Sequence, residues 1–265
     1  MKIAVIGGGV VGTATALGFQ RLGHELYIVD PNIKCHASQY GLKVVPDCTI
    51  DGDYILLCIP ETEIDAAIQT YRLPSWDDSR KQPPIYVRSS APPGTCRRLS
   101  QKYGLHIGHN PELLREAVAD YEFMNPLGII LGDCCDEHAF AMETLYMPFR
   151  SPIYHTTPEV SELTKLAING YLACNISYWN QIKLLADKLG INSHEVGMLA
   201  SHVDGRISVY GSRMHGKPYG GKCLSKDLKQ LIGLSYKINA TGLFFESIRD
   251  MNDLVENLCS ETEKK

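Results

Sequence analysis

The chain has no stretch long and apolar enough to cross a bilayer: its longest apolar runs, Tyr54 to Pro60 and Gly128 to Leu131, fall far short of the roughly 20 residues a spanning helix needs. The opening MKIAVIGGGV lacks both an apolar h-region and a small-residue cleavage site, so no signal peptide is expected. Basic residues form no run longer than a pair such as Arg97-Arg98, and 26 Lys+Arg against 30 Asp+Glu give a formal charge of -4. Nucleic acid is not an expected partner. The nine cysteines, at 35, 48, 58, 96, 134, 135, 174, 223 and 259, include no C-x-x-C pair and no histidine spacing suited to zinc. Reduced thiols, a cytoplasmic compartment and no metal are expected. There is no internal repeat, linker or low-complexity segment.

What is present is ordinary for a folded soluble chain: 44% hydrophobic and 21% charged residues over 265, enough for one large domain or two modest ones. Short β-branched runs, at 2–6, 26–30, 43–45, 54–59, 85–89, 105–108, 128–131 and 152–155, alternate with helix-length amphipathic stretches. That alternation predicts a mostly parallel sheet. KIAVI and YILLCI are apolar almost throughout, as central strands covered on both faces should be. From about Thr157 the apolar spacing becomes three and four, predicting one long helix. Further helices follow the cap at Asn192, the glycine-rich loop before KDLKQLIGLSYKI, and Gly242, the last ending at Leu258 before a polar tail. The expected fold is α/β, a Rossmann-like doubly wound sheet over 1–155, then an all-helical domain with a long central helix over 156–265.

Gly7, Gly9 and Gly12 form G-x-G-x-x-G directly after the first strand and at the start of a helix expected from Val10 to Leu22. The glycines permit a tight turn and close backbone approach, and the helix N-terminus faces a pyrophosphate. Strand two ends in Asp30, about 20 residues on, where a carboxylate accepts from a ribose hydroxyl and repels a 2′-phosphate. NAD is therefore expected rather than NADP; a glycine turn with no ligand is the plainer alternative.

In YGGKCLSKD, Cys223 follows two glycines and opens a helical pattern, a position where the dipole and Lys226 would favour a thiolate. Cys223, Lys226 and Asp227 at i, i+3 and i+4 share one face. A small packed cysteine beside a surface Lys–Asp pair fits the same spacing. Lys165 and Asn169 are spaced i, i+4 in the long helix, and Glu112 and Glu116 repeat that spacing just after a strand, where open α/β sheets bind ligands. Each pair alone also fits a solvated helix face.

Together these segments resemble the UDP-glucose/GDP-mannose dehydrogenase family. GGGVVG with Asp30 resembles its NAD fingerprint, and VRSSAPPGT at 87–95 its V-x-S-T-x-P-x-G-T segment, with Ser90 where Thr is usual. NPELLRE at 110–116 and NPLGIILG at 125–132 are similar to two further motifs, ELTKLAINGYLACNISYWNQI at 162–182 to the central helix, and YGGKCLSKD at 219–227 to the nucleophile loop. The resemblance covers Met1 to about Ile238. It implies catalytic roles for Cys223, Lys165, Asn169, Asp227, Glu112 and Glu116. Cofactor contacts would come from Gly7, Gly9, Val10, Val11, Gly12, Asp30, Cys58, Ile59, Pro60, Ser89, Ser90, Glu116 and Lys226. Substrate would meet Glu112, Lys165, Asn169, Arg206, Tyr219, Gly220 and Cys223.

The implied reaction is a four-electron oxidation of a primary alcohol to a carboxylate with NAD as cofactor. Lys165, with a water held by Asn169 and Asp227, would assist alcohol deprotonation. Cys223 would attack the aldehyde, giving a thiohemiacetal and then a thioester. Glu112 would activate the hydrolytic water, or Glu116 hold it. A single-hydride hydroxyacid-type dehydrogenase and a catalytically silent NAD-binding partner subunit are the alternatives. Family members continue into a third, nucleotide-diphosphate-binding domain, so a short member lacking it is expected, with a small-molecule substrate and a homodimer. The loop YGSRMHGKP at 210–218 departs from the family pattern. Arg206, Arg213, His215 and Lys217, in the stretch before Cys223, would suit a compact anionic alcohol, and a merely solvated basic loop fits them equally.

Overall fold

The computed structural model describes residues 1–46, 50–71, 73, 82–213 and 215–262, leaving aside the side chains of Arg213, Lys222 and Thr262; Cys48 lies outside the described residues. Contacts divide the chain into two compact units, Met1–Lys165 and Leu166–Lys265.

The first unit is built on eight strands: β1 (Lys2–Ile6), β2 (Glu25–Val29), β3 (Val44–Val45), β4 (Tyr54–Leu57), β5 (Ile85–Val87), β6 (Ile107–His109), β7 (Ile129–Gly132) and β8 (Ile153–Thr156). They form one sheet in the order β3-β2-β1-β4-β5-β6-β7-β8. Every neighbouring pair is parallel except β6 and β7, which meet antiparallel with His109 opposite Gly132. The doubly wound, mostly parallel sheet expected from the alternating pattern is present, and the reversal of strand order falls between β1 and β4.

The apolar strands explain why the sheet is covered twice. Successive side chains point to opposite faces. Ile3, Val5, Tyr54, Leu56 and Tyr86 therefore join one core with Phe19, Phe123 and Tyr146, while Ala4, Ile6, Ile55, Leu57, Ile85 and Val87 join a second with Ile64, Ile68 and Leu99. Helix α1 (Val10–Arg21), carrying Phe19, belongs to the first core; α2 (Glu61–Thr70) and α3 (Thr95–Tyr103) belong to the second. Two shorter helices, α4 (Ala119–Met124) and α5 (Asp136–Tyr146), flank β7.

One helix, α6, runs without interruption from Pro158 to Leu189, so the division into units falls inside it. The second unit continues with α7 (Ser193–Val203), α8 (Val209–Arg213), α9 (Lys222–Lys237) and α10 (Leu243–Thr262). Ala173, Ile176, Tyr219, Leu228, Ile232 and Ile248 form its core. The Asn192 side chain accepts from the His194 N–H and caps α7, as its sequence predicts.

Helix α9 starts at Lys222, with Cys223 in its first turn as the spacing predicts, because Gly221 turns the chain with φ 80° immediately ahead of it. One helix boundary differs from the sequence reading. Helix α10 absorbs most of the polar tail and runs to Thr262, past Leu258.

Candidate active site

The glycine loop sits at the carboxyl end of β1, at the point where the strand order reverses. Gly7 has φ 103°, and a Cβ there would lie 2.6 Å from the Cys58 carbonyl oxygen. A Cβ on Gly12 would lie 1.9 Å from the Gly7 oxygen, so these two positions are closed to any side chain. Gly9 is the opposite case: nothing stands within 4 Å of its missing Cβ. The loop is thus packed from below and open above, the shape a dinucleotide pyrophosphate requires. Val10 and Val11 open α1 over it.

Asp30 follows β2 and closes the same loop. Its Oδ2 accepts from the Gly8 N–H at 2.7 Å and its Oδ1 from the Asn32 N–H at 2.8 Å. Each carboxylate oxygen retains a lone pair for a ribose hydroxyl. Cys58, Ile59 and Pro60 follow β4, and Ser89 and Ser90 follow β5, so with the glycine loop and Asp30 they occupy the carboxyl ends of four adjacent parallel strands, while Glu116 and Lys226 lie elsewhere in the chain. The Ser89 hydroxyl donates to the Ile59 carbonyl oxygen, tying two of these turns together. Burial pushes the Cys58 thiol up to about 11, against the opposing pull of Arg88. A thiol held in this way is not activated as a thiolate.

Glu112 and Lys165 meet within the first unit. Their side chains, 8% and 4% exposed, approach to 3.2 Å between Oε1 and Nζ. The helical spacing expected for Glu112 and Glu116 is corrected here. Residues 111–115 form no helix, and Glu116 stands exposed in a short 3₁₀ turn, Glu116–Val118. The cause is local: Glu112 Oε2 accepts from the Leu114 N–H at 2.9 Å, a side-chain bond that competes with helix formation just after Pro111. Only Glu112 turns inward to Lys165.

One turn further along α6, in the second unit, Asn169 Nδ2 donates to Asp227 Oδ2 at 2.5 Å. Asp227 is fully buried, and Lys226 Nζ stands 3.5 Å from its Oδ1 while remaining half-exposed. Cys223, one turn earlier on α9, is exposed. Tyr219 is buried, donates its N–H to Asn252 Oδ1 at 2.7 Å, and has its phenol pushed up to about 12 by burial. Gly220 and Gly221 have open space where a Cβ would be.

The four-cation reading is corrected at His215, and the Arg213 side chain lies outside the described residues. Arg206 is exposed and forked onto Asp204, with Nη2 to Oδ2 at 2.5 Å. His215 is buried, stacks on His194 with ring centroids 4.3 Å apart, and bonds Ser193 Oγ through Nε2 at 3.0 Å. Burial and the His194 ring lower its pKa, so it is a neutral packing residue. Lys217 is exposed, and its carbonyl accepts from Asn180 Nδ2 at 2.9 Å.

Three supporting residues were not singled out from sequence. Arg88, directly after the all-apolar β5, is buried; one guanidinium nitrogen donates to Asn110 Oδ1 and, at 2.5 Å, to the Tyr146 hydroxyl. An arginine closing a buried strand was the available signal. Glu162 accepts from the Gly94 and Cys96 N–H groups at 2.6 and 2.8 Å, anchoring the start of α6 to the start of α3. His109, wholly buried, bonds Ser161 Oγ at 2.8 Å and the Ser89 carbonyl at 3.1 Å.

Residues 159–254, which include Lys165, Asn169, Cys223 and Asp227, match the central domain of the UDP-glucose/GDP-mannose dehydrogenase family. Over these residues the chain is similar to that family. Residues 2–82 also match the coenzyme F420-dependent NADP oxidoreductase family. UDP-glucose 6-dehydrogenase YwqF of Bacillus subtilis is 24% identical over 299 residues, covering 96% of this chain and 66% of that protein. The chain therefore spans just under two thirds of that relative's length. A UDP-glucose dehydrogenase from Pyrobaculum islandicum superposes with a TM-score of 0.82 at 24% identity, over 96% of this chain and 68% of that one. A 3-hydroxyisobutyrate dehydrogenase from Mycobacterium tuberculosis gives 0.76 at 16% identity, over 95% and 92%. Both are likenesses of fold.

Proposed function

We propose that this chain is an NAD-dependent dehydrogenase that oxidises the primary alcohol of a sugar nucleotide, or of a smaller anionic alcohol, to a carboxylate in two steps. The observation that carries the reading is the pairing along α6: Lys165 with Glu112, and Asn169, one turn on, with Asp227, whose own helix presents an exposed Cys223. These residue types supply a cation, two carboxylates and a nucleophile for one reaction class.

NAD held on the glycine loop supplies the hydride acceptor for each oxidation. Asp30 holds the adenosine ribose and disfavours a 2′-phosphate. A water held by Asn169 and Asp227 takes up the alcohol proton, and the Lys165 ammonium stabilises the developing oxyanion. The Cys223 sulfur adds to the aldehyde carbon, and loss of hydride from that thiohemiacetal leaves a thioester. Glu112 activates the water that releases the carboxylate. Tyr219 and Gly220 belong to the substrate side, Lys226 and Glu116 to the cofactor side.

The NAD domain corresponds to residues 1–155 and the helical catalytic domain to 156–265. A homodimer through the exposed apolar residues of α6, Leu163, Tyr171, Tyr178, Leu185 and Leu189, completes the proposal, together with a cytoplasmic location in which the eight described cysteines stay unbridged.

The test is the NADH yield with UDP-glucose and smaller anionic alcohols. Two NADH per substrate consumed is the expected result. One per substrate would support single-hydride hydroxyacid-type chemistry with Cys223 passive. No turnover with retained NAD affinity would support a silent partner subunit.

A further inference from the structure

The end of the sheet opposite the glycine loop carries a cluster that the proposed reaction does not use. β6 and β7 are the one antiparallel pair, with His109 opposite Gly132. Continuing that register beyond the ladder sets His106 against Cys135. The result is that one ligand atom each from His106, Cys134 and Cys135 lies within 4.8 Å of the others.

A fourth group adjoins them. His138, on the first turn of α5, has Nδ1 3.5 Å from the Cys134 sulfur, while its Nε2 lies 3.0 Å from the Gln82 carbonyl oxygen. A carbonyl only accepts, so Nε2 carries the proton and Nδ1 presents a lone pair toward the sulfur. Metal-bound histidines are oriented in this way, by a carbonyl on the other ring nitrogen. Gln82 also brackets His106, accepting from its N–H and donating to its carbonyl, both at 2.9 Å. Zinc bound tetrahedrally at about 2.3 Å from sulfur and about 2.0 Å from nitrogen separates the two ligand atoms by about 3.5 Å, the Cys134–His138 spacing. Asp133 is already committed, to Tyr86 at 3.0 Å and to His155 at 2.6 Å, and does not enter the set.

We infer that His106, Cys134, Cys135 and His138 form a Zn²⁺ site that clasps the β6–β7 junction. Two thiolates and two imidazoles are a zinc donor set in preference to one for magnesium or calcium. Binding displaces the two thiol protons to solvent and leaves a neutral tetrahedral centre, so the site weakens as pH falls. Its role is structural, since all four positions are filled by protein and none is left for a substrate.

Cobalt(II) reports the geometry directly. The full chain, stripped of metal under reducing conditions, should take up one equivalent of Co²⁺ with thiolate-to-cobalt charge-transfer absorption in the near ultraviolet and strong tetrahedral bands in the visible. One equivalent of Zn²⁺ should bleach them and raise Tm. The C134S/C135S double variant should lose the spectrum, H106A and H138A should each weaken binding at least tenfold, and C223S should keep it unchanged. Alkylation of the unmutated chain, mapped by mass spectrometry, tests the site even if the double variant fails to fold: Zn²⁺ should protect Cys134 and Cys135 and leave Cys223 reactive. No cobalt–thiolate absorption, absorption that persists in C134S/C135S or vanishes in C223S, unprotected Cys134 and Cys135, or a Cys134–Cys135 disulfide that forms in place of metal uptake would each overturn the inference.

Discussion

The wholly buried carboxylate of Asp227 accepts a 2.5 Å hydrogen bond from Asn169 Nδ2, joining α9, which carries Cys223, to α6. Asp227→Asn keeps the shape and removes the charge. In the proposed reaction it should lower kcat by about a hundredfold or more, the range for losing a positioned proton-handling group, with the circular dichroism unchanged. A kcat within a factor of a few of the unmutated enzyme would show the pair to be architectural.

Cys223→Ser should separate the two oxidations, because a serine hydroxyl without a strong base is a much weaker nucleophile than a thiol. NAD affinity should be unchanged, and NADH yield should fall from two per substrate to one, with the aldehyde trapped by hydroxylamine. Carboxylate formed at the original rate would make the thiol dispensable.

The Lys165–Glu112 pair is almost fully enclosed, and removing one partner leaves the other charge buried without compensation. Lys165→Met should destabilise the fold by about 3–5 kcal/mol. The double variant Lys165→Met, Glu112→Gln should recover part of that loss. Urea unfolding measures both; equal stability of the single variant and the unmutated chain would mean that the pair is hydrated in solution.

His109 predicts a pH dependence. Burial lowers its pKa to about 4 in the folded chain, against an ordinary value near 6.5 when unfolded. Between those values the unfolded chain binds the extra proton, so the stability contributed by the neutral ring is complete above about pH 6.5 and is lost as pH falls toward 4. The loss amounts to about 3 kcal/mol. His109→Gln should flatten this part of the profile, read from unfolding free energies at successive pH values. A slope identical to that of the unmutated chain would assign the acid sensitivity elsewhere.

Asp30 is proposed to set the cofactor preference. Asp30→Ala removes both the repulsion of a 2′-phosphate and the acceptor of the Gly8 N–H. The ratio of NADP to NAD dissociation constants should shrink by about tenfold, or about 1.4 kcal/mol. Equal affinity for both cofactors in the unmutated chain would remove Asp30 from the role.

The sheet, the glycine loop and the long helix were legible in the amino-acid sequence because each rests on a short-range pattern. KIAVI is apolar at every position after Lys2 since both faces of β1 are covered. Gly7 and Gly12 stand where no Cβ fits. The three- and four-residue apolar spacing from Thr157 onward has one regular solution. Positions set by side-chain bonds were not legible. Glu112 and Glu116 share helical spacing, yet the Glu112 carboxylate bonds the Leu114 N–H and the segment leaves the helix. His215 reads as a cation in a basic loop, yet stacking on His194 and contact with Ser193 bury it neutral.

Linear spacing determined that Lys165 and Asn169 lie one turn apart. Only the tertiary structure decided that Lys165 faces Glu112, 53 residues earlier, and Asn169 faces Asp227, 58 residues later. The same holds for His106 beside Cys134 and Cys135. No spacing rule connects them, because the connection is the antiparallel register of β6 and β7, which depends on how two strands pair and not on how far apart they lie along the chain.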